Sequence, residues 1–126
     1  DHCAVNQVLY HLGSRGVEYD LMSWLEEHHV PLMAYCPLAQ GGDLRRELLN
    51  NKAVQMVAEQ RHITAMQVLL AFVLHHENVI AIPRSGKAEH VLENCQAAEI
   101  KLTEEEYRLL DRAFPAPDHK VWLDIV

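Results

Sequence analysis

The chain has 126 residues, of which 49% are hydrophobic and 23% are charged, a composition typical of a globular domain and not of a disordered segment. Its net charge of −7 disfavours contact with a phosphate backbone, so no nucleic-acid partner is expected. The longest apolar run, 68–74, spans seven residues, whereas a membrane span needs about twenty, so no membrane partner is expected either.

The first part of the chain alternates between predicted strands and a predicted helix. Residues 4–10 predict a short strand, and 11–16 predict a loop. Asp20 is a favourable residue for a helix N-cap. The helix that follows is predicted to bury a stripe at helical spacing, made of Leu21, Trp24, Leu25 and His28. Residues 30–35 predict a buried parallel strand, and 37–49 predict a long loop, a kind of segment that often has a function.

The middle of the chain predicts two helices and a third strand. Residues 51–60 place apolar side chains on one helical face. Thr64 and Gln67 form a capping box, which opens a helix that is apolar nearly all round and is therefore expected to be buried. Residues 79–82 predict a third, short strand.

The last part predicts two more helices and an irregular tail. Residues 88–98 predict a helix. Its inward-facing side chains are expected to be Val91, Leu92 and Cys95. Thr103 and Glu106 form a second capping box, which opens the final helix. After Pro115 we expect irregular structure in which Trp122 anchors the tail.

Cysteine usage bears on the redox environment. Cys3, Cys36 and Cys95 are odd in number and widely spaced, so they predict neither a disulfide framework nor a zinc site. The histidines lack acidic or cysteine neighbours at metal-ligand spacing, so we expect no metal. This usage is typical of a reducing compartment and predicts a cytoplasmic protein.

The alternation of strands and helices predicts an α/β fold with a parallel sheet. Three strands leave two unpaired edges, and a parallel sheet is normally covered on both faces. The number of elements therefore predicts a part of a larger domain.

A possible anion site follows the third strand. There a strand end, a proline and a Ser-Gly turn precede a helix, whose first N–H groups attract anions. Arg84 and Lys87 flank the turn, and His90 lies one helical turn further on. These residues fit a phosphate monoester. Judged by local spacing alone, an ordinary helix cap with solvated basic side chains is the favoured interpretation.

Two residues on the other strands also have two readings each. Tyr35 ends the second strand, where ligands of parallel sheets lie, so its ring can stack on a flat ligand or pack under the following loop. Gln7 lies in an apolar strand and needs a hydrogen-bond partner. That partner can be a ligand carboxamide or a neighbouring strand.

Taken together, these segments resemble the aldo-keto reductase family. The matching signatures are Asn-Gln-Val-x-Tyr-His at 6–11, Ala-Tyr-Cys-Pro-Leu at 34–38, Ile-Pro-Arg-Ser with a later Glu-Asn at 82–94, and Leu-Thr-Glu-Glu-Glu at 102–106. Their order and separations match along nearly the whole chain. The Ala-Gln-Gly-Gly that follows Leu38 resembles the small bacterial members.

The resemblance implies an eight-stranded (β/α) barrel, of which residues 1–126 would be the C-terminal part, with strands six to eight and the terminal helix. Strands one to five and the catalytic Asp, Tyr, Lys and His would be absent. The parent protein would be an NADPH-dependent oxidoreductase that reduces aldehydes or ketones, and the isolated chain would be inactive. The alternative is a non-catalytic fragment that self-associates, binds a missing N-terminal half or binds a nucleotide.

The resemblance also implies that twelve residues bind NADPH, none of them catalytic. The nicotinamide would contact Gln7 and Tyr35. The pyrophosphate would lie along Cys36, Leu38 and Gln40. The 2′-phosphate and the adenine would be held by Arg84, Ser85, Gly86, Lys87, His90, Glu93 and Asn94.

Three of these residues depart from the family pattern. Arg84 replaces the usual Lys and keeps a cation that can bind phosphate through two hydrogen bonds. His90 replaces the usual Arg, so its contact weakens as the imidazole loses its proton near neutral pH. Cys36 replaces the usual Ser and removes a good hydrogen-bond donor. The preference for NADPH over NADH therefore stays open.

Overall fold

A three-stranded parallel sheet organises the chain in the computed structural model, which describes residues 3–126. The strands lie in the order β1 (Asn6–Leu9), β2 (Leu32–Tyr35) and β3 (Val79–Ala81). Because all three run the same way, their carboxyl ends meet at one edge of the sheet. The predicted α/β architecture with three parallel strands is confirmed.

Six α-helices accompany the sheet in the described residues. They are α1 (Leu21–Glu27), α2 (Asp43–Asn50), α3 (Lys52–Arg61), α4 (Ala65–Val73), α5 (Ala88–Ala97) and α6 (Glu104–Ala113). Both predicted capping boxes are present, at the starts of α4 and α6. A short 3-10 helix also forms at Gly16–Glu18.

Helix α2 corrects the prediction that 37–49 is a loop throughout. The segment after Gly42 is rich in Leu, Arg and Glu, which are good helix formers. Gly42 has a φ of 93°, a left-handed conformation that suits glycine, and the helix begins directly after it. Leu48 is fully buried and attaches α2 to the core.

The core lies between the sheet and helices α3 and α4. Helix α4 is covered on every side, since each residue from Gln67 to Val73 is buried. This confirms the prediction of a helix that is apolar nearly all round. Burying one large apolar side chain contributes roughly 1.5–3 kcal/mol, so this helix is a main source of the chain's stability.

Helix α1 departs in part from the predicted stripe. Met22 and Leu25 are its buried residues, whereas Trp24 is half exposed and stacks on the ring of His28. Asp20 does occupy the N-cap position, but its side chain makes no capping hydrogen bond. The carboxylate accepts a hydrogen bond from Lys120 Nζ at 2.7 Å.

The tail after Pro115 is irregular, as predicted, but the predictions for the inward face of α5 and for Trp122 as an anchor are wrong. Val91 and Leu92 are 46% and 64% exposed, and Cys95 is exposed as well. Helix α5 packs through Ala97 instead, and nothing within residues 3–126 covers its other face. Trp122 is 98% exposed, so its ring does not anchor the tail. Periodicity predicts an apolar face, but it does not predict which contacts cover it.

None of the helices in the described part of the chain has the length and apolar character required to cross a bilayer.

Candidate functional site

The loop after β2 has an unusual backbone. Cys36 and Ala39 have φ values of 50° and 62°, left-handed conformations that cost a non-glycine residue about 1 kcal/mol or more each. Ala39 N donates a hydrogen bond to Cys36 O at 2.9 Å, which closes a tight turn between them. The strained turn persists only because its surroundings hold it.

Arg45 on α2 supplies part of that support. Its Nε donates to Leu38 O at 3.0 Å, and its Nη2 donates to Ala39 O at 2.7 Å. Sequence reasoning missed this residue because 37–49 was expected to be a loop. The helix-forming composition after Gly42 is the signal that could have revealed it.

The loop after β3 faces the loop after β2. Ile82 N donates to Ala34 O at 3.1 Å, which keeps the start of the β3 loop beside β2. Ser85 Oγ accepts a hydrogen bond from Lys87 N at 3.1 Å. No side chain caps α5 itself, so the N–H groups of its first turn have no capping acceptor among the described side chains.

A cavity of about 550 Å³ lies between the two loops. Six of the twelve predicted residues line it, namely Cys36, Leu38, Gln40, Arg84, Ser85 and Gly86. A neighbouring cavity of about 140 Å³ shares part of this lining and adds His90, Glu93 and Asn94. The structure therefore brings together nine of the predicted residues, from two loops and the first turns of α5.

The other three predicted residues lie outside these cavities. Lys87 is exposed at the N-cap of α5. Tyr35 is half-buried at the end of β2, and Gln7 is exposed on β1, where its amide bonds no neighbouring strand in the described residues. The interpretation of Gln7 as a partner of another strand is therefore not what the structure shows.

The basic side chains of the site have no acidic partners. Neither Arg84 nor Lys87 forms an ion pair with any carboxylate of residues 3–126. Arg84 lines this end of the cavity, while Lys87 lies exposed beside it at the uncapped N-terminus of α5. This grouping of positive charge makes that end suitable for an anion.

Comparison with known protein families matches residues 2–114 to the aldo/keto reductase family. The chain belongs to this family. It is 50% identical over 126 residues to methylglyoxal reductase YeaE of Escherichia coli, covering 100% of this chain and 44% of that protein. It is 31% identical over 120 residues to glyoxal reductase of Bacillus subtilis, covering 90% of this chain and 41% of that protein.

Solved structures agree with this assignment. An aldo-keto reductase from Klebsiella pneumoniae, crystallised in complex with NADPH, is 51% identical and superposes with a TM-score of 0.95. The alignment covers 99% of this chain and 44% of that one. The chain thus spans less than half the length of these relatives, and the prediction that it has the fold of part of a (β/α)8 barrel is confirmed.

Proposed function

We propose that this chain forms the NADPH-binding part of an oxidoreductase that reduces aldehydes or ketones to alcohols. The observation that supports this most directly is that Arg84, which lines the cavity, and Lys87, which is exposed beside it, both lack acidic partners among residues 3–126. Such a group of donors fits the 2′-phosphate that distinguishes NADPH from NADH.

Each part of the cofactor has residues of matching chemistry. Arg84, Ser85 and Lys87 hold the 2′-phosphate beside the Gly86 backbone. Gln7 and Tyr35 contact the nicotinamide. Cys36, Leu38 and Gln40 lie along the pyrophosphate. His90, Glu93 and Asn94 lie at the adenosine. The cavity lining, which includes most of these side chains, supports this division.

The nicotinamide supplies the hydride when the cofactor is bound. This chain's own residues bind and orient the cofactor and exclude water from its phosphates. The proton comes from the catalytic tetrad of the family, which the proposal places outside residues 1–126. The isolated chain is therefore expected to bind NADPH without reducing a carbonyl compound.

Small dicarbonyl compounds are the proposed substrates, because two relatives are named as reductases of methylglyoxal and glyoxal. We place the protein in the cytoplasm, where free thiols such as those of Cys3, Cys36 and Cys95 stay reduced.

The first experiment measures the intact mass of the protein isolated from its source, followed by its affinity for NADPH and NADH. A mass of roughly twice 14.4 kDa fits a whole barrel that includes this chain.

Arg84→Gln is expected to weaken NADPH binding roughly tenfold or more and to leave NADH binding unchanged. The matched control is Arg108→Gln, which removes an exposed arginine of α6. Equal losses for both cofactors would overturn the proposed role of Arg84.

The exposed apolar side chains favour a second candidate, a non-catalytic chain that associates with another polypeptide. Val91 and Leu92 on α5 and Ile80 on the edge strand β3 are all at least 45% exposed, and parallel sheet edges seldom stay uncovered. Light scattering of the isolated chain tests this second candidate. A stable 14.4 kDa monomer would contradict the association.

A further inference from the structure

His11 is a buried histidine that the proposed function does not use. It follows β1 and is only 1% exposed. Its backbone forms a tight turn with Ser14, in which Ser14 N donates to His11 O at 2.9 Å. The side chain takes part in the same turn, since His11 Nδ1 accepts a hydrogen bond from Gly13 N at 3.1 Å.

This last hydrogen bond determines the tautomer of the ring. A nitrogen that accepts from a backbone N–H carries no proton, so the proton of the neutral imidazole is on Nε2. Nε2 is buried and has no partner with hydrogen-bond geometry within residues 3–126. A buried N–H without an acceptor is costly, so an acceptor is expected nearby.

Gln40, on the strained loop, supplies the complementary atom. Its Oε1 is also buried and also lacks a donor among the described side chains and backbone. The Gln40 side chain lies near the His11 ring, and this contact raises the pKa of His11 against the larger, lowering effect of burial. Two neighbouring side chains from the two loops thus contribute one buried donor without an acceptor and one buried acceptor without a donor.

We propose that His11 is a positioning residue, whose Nε2–H donates to Gln40 Oε1 and thereby fixes the loop at 36–41 for the cofactor. The proposal rests on the proposed function in so far as the loop binds NADPH. Within that function, His11 touches neither cofactor nor substrate and acts only through Gln40.

The position of Gln40 explains why such a fastening matters. Arg45 holds the carbonyl groups of Leu38 and Ala39, but Gln40 follows them and precedes Gly41 and Gly42, which are both exposed. A second hydrogen bond from His11 fixes the loop just before these glycines. A preformed loop lowers the entropy lost when the cofactor binds.

Two amide variants separate the two nitrogens of His11. In His11→Gln the longer side chain keeps a donor near the position of Nε2, whereas in His11→Asn the shorter one keeps an acceptor near the position of Nδ1. We expect His11→Gln to bind NADPH within about threefold of wild type and His11→Asn to bind roughly tenfold more weakly. Equal losses in both variants, or a larger loss in His11→Gln, would overturn the proposal.

Gln40→Met provides the matched background. Because His11 acts through Gln40, the affinity difference between His11→Gln and His11→Asn should disappear when each is combined with Gln40→Met. If the difference persists, His11 stabilises the fold without positioning Gln40, and the proposal is wrong.

The pair also has a test that needs no cofactor. NMR titration of the protein should show His11 as the Nε2–H tautomer, with a higher pKa in Gln40→Glu because a carboxylate then faces the ring. Gln60→Glu on the exposed face of α3 is the control, and Asp124 is the charged group of the tail that also acts on His11. An unchanged pKa in Gln40→Glu overturns the pair, whereas a shifted pKa without NADPH binding overturns only the proposed function.

Discussion

Arg15 and Asp111 form an ion pair, with Nη1 and Oδ1 2.6 Å apart, although the two residues are 96 positions apart in the chain. The same Nη1 also donates to Phe114 O at 2.6 Å. The Arg15 side chain is 4% exposed. The loop after β1 is therefore fastened to the C-terminal end of α6 by one buried guanidinium.

The surroundings of Arg15 balance the cost of burying its charge. Its Nε and Nη2 both donate to the Glu18 carboxylate, at 2.8 and 2.7 Å, and the guanidinium lies over the Phe72 ring. Glu18 also accepts from Tyr10 OH at 2.6 Å. Burial alone would lower the pKa of Arg15, but the hydrogen bonds to Glu18 and Asp111 raise it.

Arg15→Met tests this network. It leaves the carboxylate of Glu18 buried without its cation, so the free energy of unfolding should fall by about 3–5 kcal/mol. Asp111→Asn should cost less, about 1 kcal/mol, because Asp111 is 43% exposed. Urea denaturation measures both. The control Arg108→Gln, in an exposed pair with Glu104, should change stability by less than about 0.5 kcal/mol.

Stability should depend on pH through His11. Burial lowers its pKa in the folded state, so folding favours the neutral ring over the charged one. The resulting contribution is fully present above the unfolded pKa of about 6.5 and is lost as the pH falls through the folded pKa. Urea denaturation at pH 7.5 and pH 5 measures this effect. Between the two pH values, the free energy of unfolding should decrease less for His11→Gln than for wild type. The control is His62→Asn, which removes an exposed ring. Its free energy of unfolding should decrease by the same amount as that of wild type.

Gln67 joins the start of α4 to α5. Its Oε1 accepts from Thr64 N at 3.1 Å, while its Nε2 donates to Glu93 O at 3.0 Å. Gln67→Glu keeps the capping acceptor but turns the donor into a buried carboxylate that faces a carbonyl. We expect a loss of about 1–3 kcal/mol in the free energy of unfolding. Thr103→Ala, which removes a cap at α6 and no contact between helices, should cost about 1 kcal/mol. Equal losses would show that Gln67 acts as a cap alone.

His62 ends α3 in a left-handed conformation, with a φ of 54°. Glycine adopts this conformation without the steric cost of a Cβ atom. His62→Gly should therefore raise the free energy of unfolding by about 0.5–1 kcal/mol, measured by urea denaturation. The same substitution inside the helix, Glu59→Gly, should lower it by about 1 kcal/mol. A decrease in the free energy of unfolding in both variants would contradict the view that the left-handed conformation of His62 is strained.

Local patterns predicted the parts of the fold that depend on residues close in sequence. The capping box of Thr64 and Gln67 is one example, since every hydrogen bond in it joins residues three positions apart. Partners distant in sequence were not predictable in this way. Arg15 is an ordinary surface-type residue until α6 packs beside it, and the sequence has no local sign of that contact.

In the candidate site, too, some residues were predictable from the sequence and others were not. The family resemblance predicted that the loops after β2 and β3 form one site, and nine of the twelve predicted residues line the two cavities. It did not predict Arg45 or His11, because their contacts depend on α2 and on the buried turn that follows β1. Arg45 lines both cavities, and His11 is buried in its turn, but no motif of the sequence marks either side chain as ligand-binding.

The complete enclosure of α4 also sets the order in which the protein exchanges its amide hydrogens. Helices α3 and α5 and strand β3 all pack against α4, so its backbone N–H groups meet solvent deuterium only when the whole assembly opens. Helix α5, half uncovered, can open by itself and exchange early. The cavity thus lies between a slowly exchanging part of the chain around α4 and the earlier exchanging helix α5.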